Sequence, residues 1–377
     1  MSVGRSGEAP GRGAGFTGEA DQRFDVIVIG AGPAGCAAAI QLARNRPDRP
    51  DRVLLVDAAV FPRDKLCGGG LVRESDRMLD HLGVEVDVPS VSIDAVHFAV
   101  DGAAQRFERR RAFRVVRRAE FDHALLQATI SRGVTVRQGE PVLRLDREAG
   151  GVRVSTPLRA YRAPVIIGAD GAGSRVRRRL VGPALGERFV ALEIFTELED
   201  AAFAHTAVFD FRPAAHGLRG YAWDFPSIRG GEWIVNRGIG GSRWAMDRSL
   251  LQYFEEALRG RGIDLHRFDL QGWSAPLYHP DSPQSAPHVL LAGDAVGIDP
   301  WLGEGISVAL GSGIIAAHAA TEALADDDFS FAGYSVRLRE SGVGWQLCRK
   351  LEVAEPFYEA ASRPGRGTEW LREVVLP

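Results

Sequence analysis

Phe24-Asp25-Val26-Ile27-Val28-Ile29-Gly30-Ala31-Gly32-Pro33-Ala34-Gly35 is the stretch whose reading decides the fold. Val26–Ile29 is an unbroken β-branched run, the pattern of a strand buried on both faces. The small, Ala-rich stretch from Pro33 to Arg44 reads as a helix, and Val53–Val56 as a second buried strand. A strand, helix and strand in that order make a βαβ unit, which needs a parallel sheet. Between the first strand and the helix, each glycine has a task. Gly30 permits the tight turn, Gly32 lets a pyrophosphate approach the backbone, and Gly35 allows close helix–sheet packing. The helix N-terminus, beginning at Pro33 and Ala34, then faces the phosphates. Asp57 ends the second strand about 20 residues on, where a carboxylate accepts from a ribose hydroxyl. The stretch predicts dinucleotide binding.

Two further glycine turns follow apolar strands downstream. Val165–Ile167 runs into Gly168-Ala169-Asp170-Gly171-Ala172-Gly173-Ser174. His288–Leu291 leads to Gly293-Asp294-Ala295, then Asp299-Pro300-Trp301-Leu302-Gly303-Glu304-Gly305-Ile306 and a long helix. A carboxylate in this last turn suits a polyol chain, and a helix N-terminus favours negative charge.

Composition narrows the class. At 377 residues the prior is two or three domains, and 45% hydrophobic with 25% charged residues is an ordinary globular balance. A net charge of −3 argues against an electrostatically driven nucleic-acid binder. Cys36, Cys67 and Cys348 make no disulfide framework, which favours a reducing, cytoplasmic compartment. No run approaches 18 apolar residues, so no membrane-spanning helix is expected. The nine histidines and three cysteines show no metal-ligand spacing, and no metal site is expected. All but two of the 46 basic residues are Arg, which sets Lys65 and Lys350 apart.

The order of these motifs resembles the FAD-dependent oxidoreductases of the aromatic-hydroxylase fold, the superfamily of flavin monooxygenases and halogenases. Pro62-Arg63-Asp64-Lys65-Leu66-Cys67-Gly68-Gly69-Gly70-Leu71 resembles the Cys-Gly-Gly loop of the geranylgeranyl reductase family. Tyr221-Ala222-Trp223-Asp224-Phe225-Pro226 matches that family's Tyr-x-Trp-x-Phe-Pro motif, and 293–313 resembles its flavin segment. The resemblance implies FAD contacts from Gly30, Gly32, Gly35, Asp57, Arg118 and Asp294. Pro33, Ala34, Asp170, Gly293, Pro300, Gly303, Gly305 and Ile306 complete the expected cofactor set. Asp57 is one methylene shorter than the Glu more usual there.

The implied fold is α/β: a discontinuous Rossmann-like FAD-binding domain, an inserted antiparallel β-sheet substrate domain, and C-terminal helices. The expected boundaries are a disordered tail over 1–22; FAD-binding pieces 23–96, 111–184 and 284–330; substrate pieces 97–110 and 185–283; and a helical segment 331–377. Residues 93–117 read as short strands, and one helix is expected near Met246–Arg259.

The resemblance implies reduction of an isoprenoid double bond by hydride from reduced FAD, with NAD(P)H or a donor protein as reductant. Lys65, Cys67, Tyr221 and Trp223 are the candidate catalytic residues. Cys67 lies beside the flavin on one reading, and is an incidental thiol in a Gly-rich turn on the other. Tyr221, Trp223 and Phe225 alternate on a strand and share one face, as a cavity wall for a prenyl chain or as core. The Arg-dense segment 106–118 reads either as a solvated strand face or as a head-group site. The substrate is expected to be a small apolar molecule, prenyl or aromatic, with at most peripheral membrane contact. A monooxygenase or halogenase-like enzyme and a noncatalytic flavin-holding partner are the rival readings, because one fold hosts many chemistries.

Overall fold

Val26–Ile29 and Val53–Val56 are buried along their whole length and pair in parallel, Val26 opposite Val53 and Ile29 opposite Val56. They lie inside a six-stranded sheet in a computed structural model that describes residues 21–100, 103–243, 248–363 and 365–370. The strand order is Ser285–Ala286, Val289–Leu291, Val165–Gly168, Val26–Ile29, Val53–Val56, Thr135–Arg137. Every neighbouring pair is parallel except the first, an antiparallel edge. Distant pieces of chain thus bring three strand ends, and the glycine turns after them, to one side of the sheet. Ligands of open α/β sheets bind at such strand ends.

The helix Pro33–Asn45 packs against Ile306–Asp326. Their contact is close enough to require glycine: a Cβ on Gly313 would stand 2.3 Å from the Ala34 carbonyl oxygen. Among the described residues, Ile306–Asp326 is the one helix long and apolar enough to cross a bilayer by length and composition, yet most of it is buried in the core.

The second layer is an eight-stranded sheet, ordered Gln271–Pro276, Arg188–Glu197, Glu232–Arg243, Leu218–Arg229, Thr206–Asp210, Ser90–Val100, Ala103–Val116, Gly70–Leu71. It is mixed where pure antiparallel pairing was expected, because Thr206–Asp210 runs parallel to Ser90–Val100. Ser90–Val100 and Ala103–Val116 are long strands and not several short ones; they run unbroken through the expected boundaries at 96 and 111. Their pairing along nearly the full length, with a bulge between Ile93 and Ala95, keeps them whole.

A four-stranded sheet of Gln22–Arg23, Ala160–Ala163, Gly151–Ser155 and Arg144–Glu148 flanks the nucleotide layer. Residues 1–20 of the expected tail lie outside the described residues. The tail expectation fails at its end, since Gln22 pairs with Tyr161 and Asp21 holds Arg153 and Arg162. The helix expected from Met246 is found over Leu250–Arg259 behind a Ser249 capping box; residues 244–247 lie outside the described residues. Tyr334–Glu340, Gly342–Ala361 and Arg366–Trp370 form the C-terminal helices, with residues 364 and 371–377 outside the description. Phe357 and Trp370 carry them onto the aromatic core, Phe357 lying 4.8 Å from the Phe211 ring.

Candidate active site

The glycine turns open on a cavity of about 580 Å3 that continues between the two large sheets. At its nucleotide end, Gly30 has φ +102°, and a Cβ there would stand 2.3 Å from the Ala169 oxygen. A Cβ on Gly35 would lie 1.8 Å from the Gly30 oxygen, so Gly35 packs the helix onto the strand and does not line the cavity. Gly32 differs. The space its side chain would take is cavity, with only Arg63 Nη2 nearby at 3.7 Å. Asp57 accepts from Ala31 N–H (2.6 Å) and Ala59 N–H (2.7 Å), which fixes its carboxylate on the cavity wall. Pro33 and Ala34 line the same wall, and no side chain caps the helix they begin.

A buried acid organises the adjacent cations. Asp122 is fully buried and receives two bonds from Arg118, at 2.8 and 2.7 Å, one helical turn away. Burial opposes the charge on Arg118, but Asp122 prevails and holds the guanidinium above its ordinary value. Arg63 approaches the same carboxylate at 3.1 Å, yet its buried Nη1 has no aligned hydrogen-bond partner. Arg63 and Arg118 both line the cavity. Asp170 lines it too, but its oxygens are occupied by Ser174 Oγ and the N–H groups of Arg175 and Val176. It shapes its own turn.

The third turn is anchored from several directions. Gly293 has φ +66°, and Lys65 Nζ lies 3.4 Å from Asp294 and 4.5 Å above the Trp273 ring. Lys350 reaches buried Asp299 at 2.8 Å; burial works against its charge, but Asp299 and Glu304 keep it protonated and raise it. Tyr221 donates to the Leu302 carbonyl (2.7 Å) and Tyr358 to that of Trp301 (2.6 Å). Gly303 has φ +68° and packs on the Phe189 ring. Gly303, Gly305 and Ile306 line the cavity, and in the first turn of the helix from Ile306 the Glu304 carboxylate accepts from Ser307 N–H at 2.8 Å. Pro300 is buried away from it.

Beyond Asp294 the cavity becomes aromatic. Tyr221, Trp223 and Phe225 are buried on one face of Leu218–Arg229, with neighbouring rings 5.8 and 6.4 Å apart. Gly68 lies on them: a Cβ there would stand 2.8 Å from the Phe225 ring. Gly69 needs its positive φ of +76° and would otherwise meet the Val116 oxygen. Cys67 lines the cavity half-buried, its Sγ accepting from Gly69 N–H at 3.4 Å. Tyr221 is a poor proton source, because burial pushes its hydroxyl up and the hydroxyl is already committed to Leu302. The Arg-dense segment divides: Arg109, Arg110 and Arg111 are exposed, whereas Arg114 pairs with Asp76 and Arg117 with Asp64.

Sequence reasoning missed Arg63, Asp122, Glu193 and Asn236. Glu193 shares a strand face with Phe189 and Ala191, all three lining the cavity, and is 1% exposed. A carboxylate on an otherwise apolar strand face was the available signal.

The geometry fits a flavin dinucleotide: a cradle at Gly32 that a Cβ would fill, the Arg63 guanidinium beside it, ion-paired to Asp122 with its buried Nη1 lacking an aligned hydrogen bond, and the uncapped N-terminus of the helix from Pro33. Residues 23–325 match the family described as FAD binding domain. The chain belongs to that family. It is an FAD-dependent oxidoreductase, and its curated relatives include reductases. The menaquinone reductase of Mycolicibacterium smegmatis is 29% identical over 370 residues, covering 88% of this chain and 84% of the relative. The digeranylgeranylglycerophospholipid reductase of Methanothrix thermoacetophila is 28% identical over 359 residues, covering 89% and 88%. A geranylgeranyl bacteriochlorophyll reductase-like protein from Thermoplasma acidophilum superposes on this flavoprotein with TM-score 0.72 at 20% identity, covering 93% and 96% of the two chains. A halogenase in complex with phloroglucinol and FAD does so with TM-score 0.73 at 16% identity, covering 93% and 79%. These two likenesses establish the fold alone.

Proposed function

We propose that this flavoprotein reduces carbon–carbon double bonds of an isoprenoid or related apolar substrate. The observation that carries the reading is the aromatic wall of Tyr221, Trp223 and Phe225, which continues the cofactor cavity and faces the Cys67–Gly68 loop. An apolar chain needs such a wall, with few polar groups to fix its orientation. The relatives named as menaquinone and digeranylgeranylglycerophospholipid reductases support the same substrate class.

FAD, when bound, supplies two-electron hydride chemistry. Gly30, Gly32, Pro33 and Ala34 would hold its pyrophosphate, with Arg63 and Arg118 as the nearby cations on the cavity wall. Asp57 would accept from the ribose and Asp294 from the ribityl chain, while Gly293, Gly303, Gly305 and Ile306 would line the flavin's part of the cavity. Lys65 positions Asp294, and Tyr221 positions the loop at Leu302. Trp223 and Phe225 exclude water from the apolar chamber. The reductant is NAD(P)H or a donor protein, and a membrane-lipid substrate would bring the enzyme to the bilayer surface.

Product analysis tests this. Holoenzyme reduced with dithionite under strict anaerobiosis converts detergent-dispersed geranylgeraniol to products carrying added hydrogen and no added oxygen. Turnover that requires oxygen and yields an oxygenated product overturns the reading in favour of a monooxygenase.

A further inference from the structure

We propose that Glu193 is the proton donor of the reduction. The inference rests on the reductase reading above and adds the acid that reading lacks, since Tyr221 commits its proton to the Leu302 carbonyl.

Glu193 stands where the aromatic wall meets the Cys67 loop. It pairs across the sheet with Gly238, and Gly238 pairs in turn with Trp223. The row therefore reads Glu193, Gly238, Trp223. Gly238 is a necessity there, because a Cβ would stand 2.1 Å from the Trp223 ring, which lies across that position. Trp223 Nε1 donates to Asn236 Oδ1 at 2.6 Å, and Glu193 Oε1 accepts from Cys67 N–H at 3.3 Å. Glu193 Oε2 is buried and has no hydrogen-bond partner, although the residue lines the cavity. A buried carboxylate oxygen without an aligned donor, beside an Asn236 Nδ2 that is likewise unaligned, is costly when charged, and the neutral acid relieves the cost.

The charges around it are mixed. Burial pushes the Glu193 carboxyl up, while Asn236, the Cys67 N–H, Arg117 and Lys65 all work to lower it. Burial prevails, leaving an acid poised to hold a proton and release it.

The step balances. One alkene carbon receives hydride, and the displaced π pair takes the Glu193 Oε2 proton onto the neighbouring carbon. The Glu193 O–H bond breaks, and the carboxylate left behind regains a proton from solvent. The electron pair comes from the reduced cofactor, which the dithionite of the assay replenishes.

The test combines infrared spectroscopy with anaerobic single turnover. Wild-type holoenzyme shows the carbonyl stretch of a buried carboxylic acid that persists to higher pH than that of an ordinary glutamate, and Glu193→Gln removes it. Glu193→Gln retains FAD and dithionite reduction, but its oxidation by detergent-dispersed geranylgeraniol slows at least about a hundredfold. Glu193→Asp recovers part of the rate and keeps a pH-dependent profile that Glu193→Gln lacks. Absence of the acid band in the wild type, or a wild-type rate in Glu193→Gln, overturns the assignment. A wild type that shows the band yet leaves geranylgeraniol unreduced overturns the reductase reading instead, and the donor role with it.

Discussion

Glu193 and Gly32 show how single residues set the terms of this site. The raised carboxyl of Glu193 keeps its proton in the native state over a range where the unfolded chain has lost it. Stability from this group is therefore full below the ordinary glutamate value and falls as pH rises toward the raised native one. Replacing it by Gln should flatten the pH dependence of the urea midpoint above the ordinary glutamate range. An unchanged slope would mean the carboxylate is already ionised. Gly32 is the second case. Gly32→Val should fold, because its side chain enters open cavity, but should lose FAD, because that space is the cradle. Fluorescence titration of the apoprotein checks it, and stoichiometric FAD in the variant would remove the pyrophosphate from this turn. Cys67→Ala should keep FAD and fold while changing turnover or product saturation about tenfold, close to 1.4 kcal/mol in the barrier. Lys65→Arg keeps the charge but alters the fit between Asp294 and Trp273, and belongs to the same experiment.

At the scale of elements, the loop 293–305 is held by four side chains from three other segments. Lys65 comes from the Cys-Gly-Gly loop, Tyr221 from the central strand, and Lys350 and Tyr358 from the C-terminal helix. The two lysines that stand out against the Arg excess thus both pair with aspartates of one loop. Lys350→Met would leave Asp299 buried without its cation and should destabilise by up to about 3 kcal/mol, read as a shift of the urea midpoint. The adjacent strand Glu232–Arg243 makes a different demand. Gly238→Ala pushes on the Trp223 ring and should cost roughly 1–3 kcal/mol while weakening substrate more than FAD binding. Equal loss of both would make the strand a general scaffold. Much of this was readable before the structure. The three glycine turns mark strand ends by local chemistry, and the alternation of Tyr221, Trp223 and Phe225 marks a face. The mixed pairing of Thr206–Asp210 was not readable, since strand direction across a long connection leaves no local trace. The place of Glu193 on an apolar strand face was readable, but its meeting with the Cys67 loop was not. Glu193 meets Cys67 across 126 residues of chain, and no motif spans that distance.

Across the whole molecule, one cavity joins a polar dinucleotide end to an aromatic end, and the C-terminal helices pack against the aromatic core beside it. On the proposed function, that arrangement would let a cofactor and an apolar chain meet at the junction of the two ends. The measurement that bears most directly on the account is anaerobic stopped-flow reoxidation of the dithionite-reduced holoenzyme by detergent-dispersed geranylgeraniol. The account predicts that oxidised flavin absorbance returns with the alkene alone, at a rate that rises with alkene concentration and saturates. A flavin that stays reduced with the alkene and is reoxidised only when oxygen is admitted would contradict it.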